Sequence, residues 1–170
     1  FKYAVTSPLT MTSGTLLQIL KEIPAVVAVK EWSYDIVEYE DTYHAVKGSH
    51  PDVTVLSSFS RSLLASLVVG GDGVLSGHGS VVADLQVRLW REVNEGNILA
   101  AQQTWARVYP LSRACYAEPF LDQHNRMKTI LGMLGRIPMD TTHVRAPLVS
   151  LAPAERETLR QACVASGVLN

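Results

Sequence analysis

The chain has 170 residues, with 15 Lys and Arg against 16 Asp and Glu, and 47% of its residues are hydrophobic while only 18% are charged. That length and apolar fraction suit one domain with a buried core and exclude a disordered or collagen-like chain, and a net charge of −1 lacks the basic footprint that phosphate-backbone binding requires, so no nucleic-acid partner is expected. Two cysteines, Cys115 and Cys163, are too few for a disulfide framework, and no apolar run reaches the length of about 18 residues that spans a bilayer; a soluble, cytoplasmic protein without a membrane partner is expected.

Short β-type runs alternate with longer helical patterns along the first half of the chain, the signature of parallel βα units. Residues 1–5 read as a strand, and because the chain opens at Phe1 inside it, with neither an initiator Met nor a polar leader, a preceding N-terminal portion is expected. A Thr/Ser/Pro/Gly-rich stretch over 6–14 leads to a helix over 15–22 closed by Pro24. Residues 25–29 (AVVAV) form an unbroken apolar run, the pattern of a strand covered on both faces, ending at Lys30. Asp35 is the expected N-cap of a helix whose apolar positions are Ile36, Tyr39, Tyr43 and Val46 and which stops at Gly48. A third strand is expected over 52–57 and a third helix over 60–69, N-capped from a Ser-rich loop and ended by Gly70 and Gly71. A very short fourth strand over 73–76 precedes a helix over 80–95 with Val82, Leu85, Leu89 and Val93 on its buried face. Past Gly96 the β signals stop. A helix over 97–116 interrupted near Pro110, another over 119–134, a Pro-bearing connection over 135–152 and a last helix over 153–166 complete the reading.

Lys30 carries the most chemistry. A lysine directly after a buried parallel strand lies at the carboxyl end of the sheet, where ligands and reacting groups sit in α/β folds. Poor hydration there lowers an amine's pKa and frees a nucleophile able to form a Schiff base with a carbonyl substrate. The residues alone leave open a lysine that only marks where the strand emerges into solvent.

The run IPAVVAVKEWSYD resembles the strand-six Schiff-base motif of the dihydrodipicolinate synthase and N-acetylneuraminate lyase family, in which an apolar run ends in Lys. LSSFSRSLLASLVVGGDGVLSGHGSVVADL is similar to that family's next two strands, and GNILAAQQTWARVYPL with the EPF segment resembles its C-terminal helical part. The resemblance is collinear over essentially all 170 residues. It implies a (β/α)8 TIM barrel of which residues 1–96 hold strands five to eight and residues 97–170 a helical extension of the same domain; a complete barrel takes about 250 residues, so the first four βα units would lie outside this sequence.

The resemblance further implies a class I, Schiff-base-forming lyase or aldolase acting on pyruvate or a related 2-keto acid, and in some members an aldehyde, with Lys30 as the attacking amine, no cofactor and no metal, in a homo-oligomer, commonly a tetramer. The family's proton-shuttling tyrosine on strand five falls at or next to Phe1, and Tyr3 lies two residues away on the same strand face, so Tyr3 is the candidate for that role and a packing ring is the alternative. Ser58, Leu75 and Ser76 match substrate-contacting positions, although Ser58, Phe59 and Ser60 replace the Gly and acidic residues with which lyase relatives hold a polyhydroxylated substrate. Dihydrodipicolinate synthase, sugar-acid lyase and keto-deoxy sugar-acid dehydratase activities therefore stay open, beside a non-catalytic half-barrel and a keto-acid or sugar-acid binding protein on the same fold. The five histidines have no metal-ligand spacing; His78 is placed near the expected mouth, and Trp32 beside Lys30 either walls a pocket or covers the rim.

Overall fold

In a computed structural model of the chain, residues 1–4 and 6–170 are described. They form two compact units, Phe1–Ser76 and Gly77–Asn170. The first is built on three parallel strands in the order β1 (Ala28–Glu31), β2 (Thr54–Ser57) and β3 (Gly73–Val74), with Lys30 opposite Leu56 and Leu56 opposite Gly73. A fourth position is marked by one parallel bridge, Lys2 to Glu31, in which the Lys2 N–H donates to the Lys30 carbonyl at 2.9 Å and the Trp32 N–H donates to the Lys2 carbonyl at 3.0 Å. The strand expected over 1–5 is thus reduced to that bridge, with Val5 outside the described residues.

Helices α1 (Ser13–Glu22), α2 (Ile36–Ser49) and α3 (Leu63–Val69) connect these strands. The Thr12 hydroxyl accepts the Thr15 N–H and the Asp35 carboxylate accepts the Glu38 N–H at 3.0 Å, satisfying orphan donors at the two helix starts. Leu16 and Leu20 of α1 and Val46 of α2 bury against Val29 and Val55, which share one face of the sheet. Within β1 the opposite face is open at Ala28, which is exposed, and Val27 just before the strand is 69% exposed, so AVVAV is half-buried rather than enclosed on both sides. The register also differs from the expected one, because Lys30 lies inside β1 and not beyond it.

The Ser-rich loop does not cap its helix. Ser60–Ser62 form a 3₁₀ turn, α3 begins at Leu63 without a side-chain cap, and Ser60 Oγ meets Ser76 Oγ at 2.6 Å instead. Gly70 ends α3 at φ 141°, where a Cβ would overlap the Tyr43 ring, and its carbonyl accepts the Tyr39 hydroxyl at 2.9 Å.

The second unit is helical: α4 (Gly79–Asn94), α5 (Ile98–Cys115), α6 (Gln123–Met133) and α7 (Pro153–Ala165). Because α4 packs on α5 and α6, it groups with the helices that follow, although the sequence reading set it with residues 1–96. A non-helical Val82 (φ −134°, ψ 45°) offsets the first turn of α4, so Val81, Val82, Leu85 and Leu89 are buried while Val93 is only partly so. Pro110 does not interrupt α5, which runs unbroken between the buried Val108 and Leu111; their packing outweighs the roughly 3 kcal/mol that an interior proline costs. A 3₁₀ turn, Phe120–Asp122, precedes α6 where one continuous helix over 119–134 is expected from sequence.

Candidate active site

Strand alternation sorts the carboxyl end of β1 into two chemistries. Val29 and Glu31 point to the helix-covered face, and Lys30 points to the opposite one with its partner Leu56. Since Lys2 bridges Glu31, Phe1 and Tyr3 fall on the Lys30 face, as the two-residue period requires. Lys30 Nζ lies 3.8 Å from the centroid of the Phe1 ring and 5.7 Å from that of Trp32. The Phe1 and Tyr3 rings lie 4.3 Å apart between centroids, tilted by 34°, so Tyr3 belongs to the same group of side chains while Phe1 is the ring set directly against the amine.

Partial burial lowers the Lys30 pKa from its ordinary value, which enlarges the neutral, nucleophilic fraction near neutral pH. The rings act in the opposite sense, since an ammonium over an aromatic face is stabilised. The two thiols, both in the helical core of Gly77–Asn170, are inert: burial pushes Cys115 up to about 12 and Cys163 up to about 11, far from the thiolate state.

Beneath Lys30, on the helix side, sits an ionic cluster that sequence reading missed. Lys2, 1% exposed, pairs with Glu38 of α2, lies 3.8 Å from the fully buried Glu31 carboxylate and donates to Thr42 Oγ1 at 2.8 Å. Both Glu31 oxygens accept the Ser33 N–H at 3.2 Å. Burial raises the Glu31 pKa, against the Ser33 hydrogen bonds and Lys2, which draw it down. The cluster holds residues 1–3 against β1 and so fixes Phe1 and Tyr3 beside the amine. Its only sequence signal is a Lys and a Glu in otherwise apolar or aromatic strand segments, which reads equally well as two solvent-facing charges.

At the neighbouring strand ends, Ser58 is buried and its N–H donates to the Glu31 carbonyl at 2.9 Å. Leu75, 45% exposed, continues the face of Gly73, and its N–H donates to the Ser57 carbonyl at 2.9 Å. Ser76 meets Ser60 through their hydroxyls. Lys30, Ser58, Leu75 and Ser76 therefore stand at the carboxyl ends of three adjacent parallel strands.

His78 departs from expectation. It is fully buried in the second unit, edge-on to Tyr116 at 6.0 Å, with neither ring nitrogen hydrogen-bonded in the protein, and burial pushes its pKa down to about 4. It is an enclosed neutral imidazole rather than a group at an open mouth. Among the described residues no group of His, Cys, Asp and Glu is arranged to hold a metal ion, and no helix is long and apolar enough to cross a membrane.

Comparison with known proteins gives the same frame. Residues 7–166 match the family model of the dihydrodipicolinate synthetase family. A 4-hydroxy-tetrahydrodipicolinate synthase of Nitratidesulfovibrio vulgaris is 30% identical over 155 residues, which cover 91% of this chain and 50% of the relative, and one of Maridesulfovibrio salexigens is 31% identical over 155 residues with the same coverage. The dihydrodipicolinate synthase of Thermotoga maritima superposes with a TM-score of 0.87 at 27% identity over 98% of this chain and 55% of its own. A prophage protein of that family from E. coli K12, solved with pyruvate, shares the fold at a TM-score of 0.83 and 22% identity, again covering 98% of this chain and 55% of its own. The chain thus spans about half the length of the curated relatives it matches, and its parallel strands and helices match part of a TIM-barrel fold. With nearly its whole length matched by one model, the chain belongs to the dihydrodipicolinate synthetase family.

Proposed function

We propose that residues 1–170 are the C-terminal half of a cytoplasmic, homo-oligomeric Schiff-base lyase or aldolase acting on pyruvate or a related 2-keto acid, in which residues 1–96 supply strands five to eight of a (β/α)8 barrel and residues 97–170 its helical extension. The observation that carries this reading is Lys30: a half-buried amine of lowered pKa, at the carboxyl end of a parallel strand, on the face turned away from the helices. The neutral amine adds to the keto carbon and water leaves, giving an iminium. The iminium draws electrons from the adjacent carbon, which loses a proton to become an enamine able to add to an aldehyde, or is formed in reverse by cleavage. Tyr3 is assigned to proton transfer, and Ser58, Leu75 and Ser76 to contacts with the keto acid.

Borohydride reduction of the natural full-length protein with pyruvate, followed by peptide mass, tests this. A reduced pyruvyl adduct is expected on the peptide containing Lys30 and is expected to vanish in Lys30→Ala; an unmodified Lys30 overturns the assignment. One observation favours a binding protein instead: the ring nearest the amine is Phe1, which has no proton to give. On that reading a keto acid binds without being trapped by borohydride.

A further inference from the structure

Twelve residues of the chain are aromatic, and five of them form one continuous group around Lys30. Phe1 lies 5.5 Å from Trp32 and Tyr3 lies 6.0 Å from it, Trp32 meets Tyr34 edge-on at 5.0 Å, and Tyr34 meets Phe59 edge-on at 5.5 Å between centroids. The rings come from three separate segments: residues 1–3, the loop after β1 and the loop after β2. Phe1 is 51% exposed and Tyr3, Trp32 and Tyr34 are partly so, while Phe59 is buried and backs the group.

Tyr34 is held at φ 58°, a left-handed backbone that Gly or Asn adopts far more readily than a tyrosine. A bulky ring kept at a strained position against Trp32, which itself lies 5.7 Å from the Lys30 amine, points to a use for that ring. The charges close by are turned elsewhere. Glu31 faces the helix side with Lys2, and Asp35 accepts the Glu38 N–H as the cap of α2. The loop after β2 offers hydroxyls and Phe59 and leads to one exposed cation, Arg61, and Lys30 itself ceases to be an available ammonium once it has become an iminium.

From this we infer that the second substrate is an aromatic aldehyde, its ring packed among Phe1, Trp32 and Tyr34 while its carbonyl faces the enamine on Lys30. The inference rests on the Schiff-base reading above. The enamine carbon forms a bond to the aldehyde carbon, the carbonyl oxygen takes up a proton to become a hydroxyl, and water hydrolyses the iminium. Pyruvate and the aldehyde are thereby joined into a 4-aryl-4-hydroxy-2-oxo acid and the Lys30 amine is returned. Edge-on geometry, already present between Tyr3 and Trp32, Trp32 and Tyr34, and Tyr34 and Phe59, is one through which a further ring is attracted.

The test uses the natural full-length protein with saturating pyruvate and four aldehydes: benzaldehyde, cyclohexanecarbaldehyde, glyceraldehyde and aspartate semialdehyde. Borohydride trapping on Lys30 with pyruvate alone is run first. The kcat/KM for benzaldehyde is expected to exceed that for each of the others by about tenfold or more. Trp32→Leu is expected to bring the ratio of benzaldehyde to cyclohexanecarbaldehyde close to unity. Tyr34→Asn, which suits the left-handed backbone and so keeps the loop, is expected to lower that ratio about fivefold. Trapping without aromatic preference overturns this inference and leaves the Schiff-base reading standing. Equal rates with the two six-carbon rings show that the group only supplies apolar volume, and preference for aspartate semialdehyde shows that a cation such as the exposed Arg61 anchors the substrate; either result overturns the inference. Absence of any adduct overturns both readings together.

Discussion

Among the described residues, the unit Phe1–Ser76 gathers five buried apolar side chains into its core cluster and places the Lys2–Glu31 ion pair beside them, whereas Gly77–Asn170 draws thirteen into one cluster from α4, α5, α6, α7 and the segment before α7. Both units bury charge, in different ways. In the second unit Arg126, 1% exposed, donates to the carbonyls of Cys115, Ala117 and Glu118 and pairs with Glu155, so one cation closes the end of α5 on backbone oxygens that would otherwise lack donors. In the first unit a cation and two carboxylates are placed against the sheet directly behind the candidate catalytic strand. The helical unit thus takes its stability mainly from apolar burial, and the sheet-bearing unit commits part of its small core to positioning.

Lys2→Met breaks this difference most strongly. It leaves the Glu31 carboxylate buried with no cation beside it, and a loss of about 3–5 kcal/mol in unfolding free energy is expected by denaturant titration. The sign of its pH dependence follows from the raised pKa of Glu31: a carboxyl whose folded pKa lies above its unfolded value stabilises when protonated, and that contribution is lost as pH rises through the folded pKa. The deficit of Lys2→Met is therefore larger at pH 8 than at pH 5, and an equal deficit at both would show that Glu31 is not the group left uncompensated. Adding Glu31→Gln is expected to recover part of the loss.

Side-chain truncation sharpens the same difference. Leu111→Ala or Ile130→Ala, each at a fully buried position of the helical core, is expected to cost about 2–5 kcal/mol. Val27→Ala, at the exposed residue just before β1, is expected to change stability by no more than about 0.5 kcal/mol, and a large loss there would show that Val27 is covered in solution.

His78 gives the helical unit a pH dependence opposite to that of Lys2→Met. Its pKa of about 4 lies below the ordinary 6.5, so the unfolded chain binds the proton more readily and stability falls as pH drops from 6.5 towards 4. The full extent is about 3 kcal/mol. His78→Phe is expected to flatten that acid limb, read as unfolding midpoints across the pH range, and an unchanged limb would assign it to carboxylates.

How much of this was legible in the sequence divides along the same physical lines. Asp35 as an N-cap, Gly70 as a helix end and the parallel βα order are local signals, and each is present in the structure. What escaped is what depends on neighbours distant in sequence. Nothing local says that Lys2 and Glu31 point inward, because a charge in a strand reads as solvent-facing until its partner is known. The continuity of α5 through Pro110 is decided by packing of Val108 and Leu111, and burial of His78 by the helices around it. The aromatic group joins residues from three segments, of which only Trp32 and the Phe1–Tyr3 pair lie close enough to Lys30 or to each other in sequence to suggest a shared face.

The smallest expected effect tests the ring closest to the amine. Phe1 lies under Lys30 Nζ and favours the charged form, so Phe1→Leu removes an attraction of about 0.5–1 kcal/mol at a half-exposed site. Burial already holds the Lys30 pKa below its ordinary value, and loss of the ring moves it further down. The rate of borohydride trapping with pyruvate, followed against pH, is therefore expected to rise to a plateau with a midpoint below the ordinary lysine value in the parent protein and at a slightly lower pH in Phe1→Leu. A midpoint that moves upward would mean that Phe1 acts mainly by excluding water from the amine and not by holding its charge, since hydration restored by the smaller side chain would favour the ammonium.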